Sequence, residues 1–154
     1  MGSEMCIRDR FRGGQSNPTY KISTNTNKYV LRRKPPGKLL PSAHAVDREY
    51  TVITALQDTN VPVPRSFGLC EDNEVVGTPF FMMEFLDGIV HWDLLLPNMT
   101  NQQRTEIYAE KNRVLTALHS VDFNKVGLSN FGKPGNYVAR QVSRWTKQLS
   151  LIHI

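Results

Sequence analysis

The chain has 154 residues, of which 40% are hydrophobic, 21% charged and 9% aromatic, and 19 Lys and Arg against 14 Asp and Glu give a formal net charge of +5. This is the length of one domain with a soluble globular composition, which excludes a disordered chain. No apolar run approaches the roughly 18 residues of a membrane helix, and 2 cysteines cannot build a disulfide scaffold.

The two ends read differently from the middle. Met1–Arg10 (MGSEMCIRDR) and Leu149–Ile154 (LSLIHI) show no helix or strand period that joins their neighbours. Met1–Arg10 also lacks the apolar stretch of a secretory signal. Back-translation gives one DNA word, in opposite orientations, for both ends. That word resembles the mosaic-end adapter of transposon-based sequencing libraries. The expectation is that residues 1–10 and 149–154 are adapter-derived and stand outside the fold. A natural segment of 138 residues, Phe11–Gln148, then lies between them as a gene fragment. Cys70 is left as the natural cysteine, which points to a reducing compartment and so to the cytoplasm.

Phe11–Tyr20 (FRGGQSNPTY) reads as a loop, rich in Gly, Ser, Asn and Pro. Thr19–Ser23 and Lys28–Arg33 alternate around the turn cluster Thr24–Asn27 and predict a hairpin, ended by Lys34-Pro35-Pro36-Gly37. Ala43–Gln57 predicts an amphipathic helix with Ser42 as N-cap and a stripe of Ala45, Glu49, Val52 and Leu56. Glu49 stands out in that stripe, because a buried carboxylate needs a cationic partner. Val61–Pro64 is extended, Ser66–Cys70 a strand and Glu71-Asp72-Asn73 a turn. Pro79–Leu86 (PFFMMEFL) predicts a strand buried on both faces, closed by Asp87-Gly88. Thr100 and Gln103 form a capping box opening a helix to about His119, with Ile107, Lys111, Val114 and Leu118 on one stripe. After the Gly127–Gly135 loop, Asn136–Gln148 starts a helix carrying Val138, Val142 and Trp145, interrupted by the adapter. Short hairpin-joined strands with one helix, then a helical region, argue for an α+β fold on an antiparallel sheet.

Three features carry chemistry together. Gly13-Gly14-Gln15-Ser16-Asn17 is a loop whose backbone N–H groups and Ser16 hydroxyl could meet a phosphate. Arg32 lies in a strand after it, and Glu49 lies on the inner stripe of the next helix. A strand cation held by a helix glutamate grips phosphate; the same two residues also suit a purely structural ion pair.

The order of glycine loop, strand cation, helix glutamate and apolar strand resembles the protein-kinase-like fold. The words V-D-R-E (Val46–Glu49), M-E-F-L-D-G (Met83–Gly88), T-A-L-H-S-V-D (Thr116–Asp122) and G-K-P-G-N-Y-V-A-R-Q-V-S-R-W (Gly132–Trp145) resemble the aminoglycoside phosphotransferase family, related to choline kinase. The last is similar to a subgroup found as stand-alone bacterial proteins and fused to acyl-CoA dehydrogenases in animals. The resemblance covers essentially all of Phe11–Gln148. It implies a kinase-like N-lobe over residues 11–88, with nucleotide loop and hinge, and the truncated start of a helical C-lobe over residues 89–148.

The resemblance also implies roles. Gly13, Gly14, Gln15, Ser16 and Asn17 would cover the ATP phosphates. Arg32 takes the position of the family's phosphate-binding lysine, with a forked rather than a point charge. Arg33, its neighbour, points to the opposite face. Glu49 would orient Arg32, Met83 would stand beside adenine, and the Glu84 C=O and Leu86 N–H would bond the adenine edge. For Met82 and Met83, plain core filling is an equal alternative. Trp92 and Asp93 follow the hinge and could line the rim of the acceptor pocket, though Trp92 is expected rather in the core. The implied activity is transfer of the ATP γ-phosphate to a small-molecule alcohol, a hydroxyacyl or other metabolic alcohol by analogy with the fused relatives.

The family's catalytic His-Gly-Asp, with its later Asn and second Asp for Mg²⁺, does not occur. His44, His91 and His119 are followed by Ala45, Trp92 and Ser120. The chain is therefore expected to hold an ATP half-site without catalytic or metal residues, with Mg²⁺ belonging to the full-length protein alone. Two alternatives stand beside this reading. One is a non-catalytic kinase-like interaction domain. The other is a basic nucleic-acid module resting on Arg32-Arg33-Lys34 and Lys38, disfavoured because no aromatics interleave with the basic residues. Zinc and hydrolase readings lack ligand spacing and a G-x-S-x-G motif.

Overall fold

The computed structural model describes residues 6–11, 17–37, 44–133 and 135–152. The Gly13–Ser16 part of the glycine loop and the expected N-cap Ser42 lie outside the described residues. The chain divides into two compact units, Met1–Asp122 and Phe123–Ile154.

The first unit is built on a five-stranded antiparallel sheet. Its strands are β1 (Cys6–Arg10), β2 (Thr19–Ser23), β3 (Lys28–Arg33), β4 (Ser66–Cys70) and β5 (Phe80–Glu84), in the order β1-β2-β3-β5-β4. The β2–β3 hairpin closes on Thr24: its N–H donates to Asn27 O at 2.8 Å and its hydroxyl accepts from Asn27 N–H at 2.9 Å. That turn sets Thr19 opposite Arg32 and Lys21 opposite Val30. The β2–β3 and β3–β5 ladders are regular, whereas β1–β2 and β4–β5 each carry a register irregularity, at Ile7/Asp9 and at Ser66/Gly68.

Directly opposed residues of an antiparallel ladder share a face. One cross-strand row is Thr19, Arg32, Phe81 and Leu69; the next on that face is Lys21, Val30, Met83 and Ser66. Helix α1 (Val46–Leu56) packs against β4 and β5. Tyr50 meets Phe81 with ring centroids 6.0 Å apart, and Phe81 is 0% exposed. Thr54 and Gln57 both hydrogen-bond the Ser66 hydroxyl, at 2.8 and 2.9 Å. The opposite face holds an apolar cluster of Ile22, Leu31 and Phe80, flanked by Tyr20, Tyr29, Cys70, Val76 and Met82. Val76 comes from a short helix, α2 (Asn73–Val76), which Asp72 caps by accepting from Glu74 N–H at 2.8 Å and Gly77 ends in the left-handed region at φ 83°.

Helix α3 (Asn101–His119) starts at the capping box: Thr100 Oγ1 accepts from Gln103 N–H at 3.2 Å, and Gln103 Oε1 accepts from Thr100 N–H at 2.9 Å. It is tied to the segment before it by Arg104 Nη1 donating to Leu96 O at 3.2 Å and Tyr108 OH donating to Leu94 O at 2.7 Å. In the second unit, helix α4 runs over Tyr137–Ile152, and Arg140 closes its entry by donating to Lys133 O at 2.9 Å and to Gly135 O. No helix among the described residues is long and apolar enough to cross a membrane.

Several expectations need correction. Cys6–Arg10, expected outside the fold, forms β1, because main-chain bonds to β2 template an edge strand without a side-chain pattern. Helix α4, expected to be interrupted after Gln148, continues to Ile152. Helix α1 begins at Val46 rather than Ala43, after His44 at φ 58°, and its N-cap position, Ala45, makes no side-chain cap. The turn at residues 71–73 leads into α2. Strand β5 is shorter than Pro79–Leu86 and only its start, Phe80 and Phe81, is buried; Met82 and Met83 are half-buried and Glu84 exposed. Trp92 is not in a core: it is 74% exposed.

Candidate functional site

Strand alternation puts Arg32 on the face that α1 covers and Arg33 on the other. Glu49 sits one turn into α1 and takes Arg32 by a two-pronged contact. Nε donates to Oε2, and Nη2 donates to Oε1 at 3.2 Å. The two side chains keep 26% and 36% of their surface exposed. The pair is therefore wet at one edge and held on the other, a fork that lysine could not reproduce.

Two further groups close the arrangement into a ring. Arg32 Nη1 donates to Thr19 Oγ1 at 2.9 Å, and the Thr19 hydroxyl donates to Asn17 O at 3.1 Å. Asn17 Nδ2 then donates to Glu49 Oε1 at 2.8 Å. Asn17 is 2% exposed, the buried polar residue of the described set. Its Oδ1 faces His44 Nδ1 at 3.0 Å. Among the described residues, three of the Arg32 N–H groups are engaged, Nε and one each on Nη1 and Nη2. Two of the five guanidinium donors remain for another acceptor.

The basic run that suggested nucleic acid is dispersed by this geometry. Arg32 goes to Glu49, Lys34 pairs with Asp47 at 3.6 Å, and Arg33 Nε donates to Lys34 O at 3.4 Å. Two of the three cations thus face carboxylates of α1.

Of the sequence-derived site residues, Asn17, Arg32 and Glu49 come together by direct hydrogen bonds. Gly13, Gly14, Gln15 and Ser16 lie outside the described residues. Met83 is half-buried in the row of Val30 and Ser66, two residues along from Arg32's row. The Glu84 N–H donates to Arg65 O at 2.8 Å and its Oε2 accepts from Arg65 N–H at 3.2 Å, while Leu86 is exposed. Beyond Glu84, the Phe85 ring stacks on Phe11 at 6.4 Å, with the Lys21 ammonium 4.8 Å from its centroid. Thr19 and His44 are the members that the residue pattern missed. Thr19 could have been found from the hairpin register; His44 carried no signal, since it reaches Asn17 through a backbone turn. Among the described residues no group of three or more His, Cys, Asp or Glu is placed to hold a metal ion.

A family model described as phosphotransferase enzyme family matches residues 9–152. The chain belongs to this family. A crystal structure of a protein assigned as an aminoglycoside phosphotransferase, from Ralstonia eutropha, superposes with a TM-score of 0.80 at 46% identity. It covers 98% of this chain and 43% of that one. This likeness gives the five-stranded sheet and its helices the α+β, protein-kinase-like fold. Acyl-CoA dehydrogenase family member 10 of Mus musculus is 49% identical over 139 residues, 90% of this chain and 13% of that protein. Acyl-CoA dehydrogenase family member 11 of Homo sapiens is 42% identical over 139 residues, 90% of this chain and 18% of that protein. The phosphotransferase domain described here thus spans under a fifth of these curated relatives and under half of the solved chain.

Proposed function

We propose that this chain is the ATP-binding part of a phosphotransferase that passes the γ-phosphoryl group of ATP to the hydroxyl of a small molecule. The observation that carries the reading is the Arg32–Glu49 fork beside Asn17, at the end of the glycine-rich segment. ATP supplies the activated phosphoryl group when bound. Arg32, fixed in direction by Glu49 and Thr19, offers its remaining N–H groups to phosphate oxygens. Residues 13–17 supply backbone N–H groups and the Ser16 hydroxyl to the phosphates. Met83 borders the base, and the Glu84 C=O and Leu86 N–H bond its edge.

The chain holds no His-Gly-Asp word, and phosphotransfer by this chain alone is expected to be negligible. The division into an N-lobe over 11–88 and the start of a C-lobe over 89–148, and a cytoplasmic setting, belong to the same reading. A hydroxyacyl alcohol is the favoured acceptor, on the strength of the acyl-CoA dehydrogenase names of the relatives.

Calorimetric titration with ATP tests the reading. Saturable binding that weakens at least about tenfold in R32A, the loss of one charge-assisted contact, supports it. An absence of binding, or equal binding by R32A, overturns it. ATP consumption measured alongside should stay at background.

A further inference from the structure

The hydrogen-bond directions around Asn17 follow from chemistry alone. A carboxylate accepts only, so the Asn17 atom facing Glu49 is the amide nitrogen. The other end of that amide, Oδ1, is an acceptor, so the His44 nitrogen facing it at 3.0 Å carries a hydrogen. Protons therefore point one way along the path His44 Nδ1–H, Asn17 Oδ1, Asn17 Nδ2–H, Glu49 Oε1. Glu49 Oε1 also accepts from Arg32 Nη2. Each bond along such a chain polarises the next.

The path runs from the entry of α1 back to α1 through another part of the chain. Asn17, its middle member, ends the glycine-rich segment, and His44 stands two residues before Val46. His44 adopts φ 58°, the left-handed region that few residues other than glycine use, Asn, Asp and His most often among them. Its ring meets Asn17 from that conformation. Asn17 is buried, so no water substitutes freely for a lost donor there.

We propose that His44 is a positioning residue: by donating to Asn17 it orients that amide, and through it the Glu49 carboxylate and the Arg32 guanidinium, for phosphate. The proposal rests on the phosphotransferase reading of Arg32 given above. His44 itself touches no phosphate; it acts by pinning the last residue of the glycine-rich segment to the helix that carries Glu49.

The test uses paired variants of the whole chain. H44N keeps an N–H donor and suits the left-handed backbone. H44G suits that backbone better still but has no donor. Binding of a non-hydrolysable ATP analogue is measured by calorimetry, with adenosine as a phosphate-free control. The expected result is a loss of about fivefold in analogue affinity for H44G, the net worth of one hydrogen bond, recovery to within about twofold in H44N, and unchanged adenosine binding. A second readout needs no ligand: the Arg32 Nε–H proton, followed by NMR, should exchange faster with water in H44G and keep its protection in H44N.

Wild-type affinity and wild-type exchange in H44G overturn the proposal, and leave the phosphotransferase reading standing if R32A still loses ATP. Equal losses in H44G and H44N also overturn it, since they indicate bulk rather than the donor. An absence of ATP binding in the unaltered chain overturns both. If H44G fails to fold, H44Q and H44M carry the same comparison, because both bear the same backbone penalty and differ in the donor.

Discussion

Thr19 stands directly opposite Arg32 in the β2–β3 ladder, and its hydroxyl serves the arginine on one side and the Asn17 carbonyl on the other. A single oxygen thereby links strand, loop and cation. Removing it without changing shape, in T19V, should cost about 1 kcal/mol of stability, the net worth of a hydrogen bond. Urea denaturation should show this, and T19S should behave like the unaltered chain. Equal midpoints for T19V and the unaltered chain would count against the ring described here.

Arg32 and Glu49 should not tolerate a conservative exchange. R32K retains the charge but can make only one of the two bonds to Glu49. Because the pair is partly exposed, its stability contribution is modest, and R32K should lower stability by about 1 kcal/mol or less. The ATP affinity should fall more than the melting temperature does, and calorimetry beside thermal melting separates the two.

Phe81 is the pivot of the sheet–helix contact, fully buried under Tyr50 and in the same row as Arg32. F81A should cost about 3–5 kcal/mol, and F81L distinctly less. In a domain of ordinary marginal stability the first change brings the chain near unfolding, and circular dichroism against denaturant measures it.

Glu110 and Arg113 form an exposed ion pair one turn apart on α3, with Nη2 to Oε1 at 2.5 Å. The hydrogen bond from Arg113 holds the Glu110 carboxyl below its ordinary range. A depressed acid contributes to the helix above its unfolded titration range, and that contribution is lost as pH falls through the folded value. Carbon-detected NMR titration should therefore give Glu110 a lower midpoint than the same carboxyl in R113A. Added salt should narrow the gap.

Leu115 and Leu118 on α3, and Val142 and Trp145 on α4, are exposed. Apolar faces of this kind favour self-association. Sedimentation velocity should show mass rising with concentration, and L115E with L118K should reduce it. A monomer at all concentrations would contradict this.

The residues differ in how openly their sequence announced them. Strands β2, β3 and β4 and helix α3 were legible to the residue, since each has a period and a boundary signal: the Thr24–Asn27 turn, the capping box at Thr100. Strand β1 and helix α2 were not. The first owes its pairing to main chain, and the second is a single turn whose cap, Asp72, reads equally well as a plain bend. At the site, Glu49 was legible because a carboxylate in an apolar stripe demands a cation. Thr19 and His44 were not, because their roles depend on strand register and on a left-handed residue.

The irregularities at Ile7/Asp9 and Ser66/Gly68 fall in the two outermost ladders, while the inner ladders are unbroken. An interrupted border is a poor template for a strand from another molecule. Deleting residues 1–10 would make β2 the border instead, and β2 is paired without a break along the whole of Thr19–Ser23. Trimming the N-terminus would thus replace a blunted margin by a regular one, open to strand addition from a second chain.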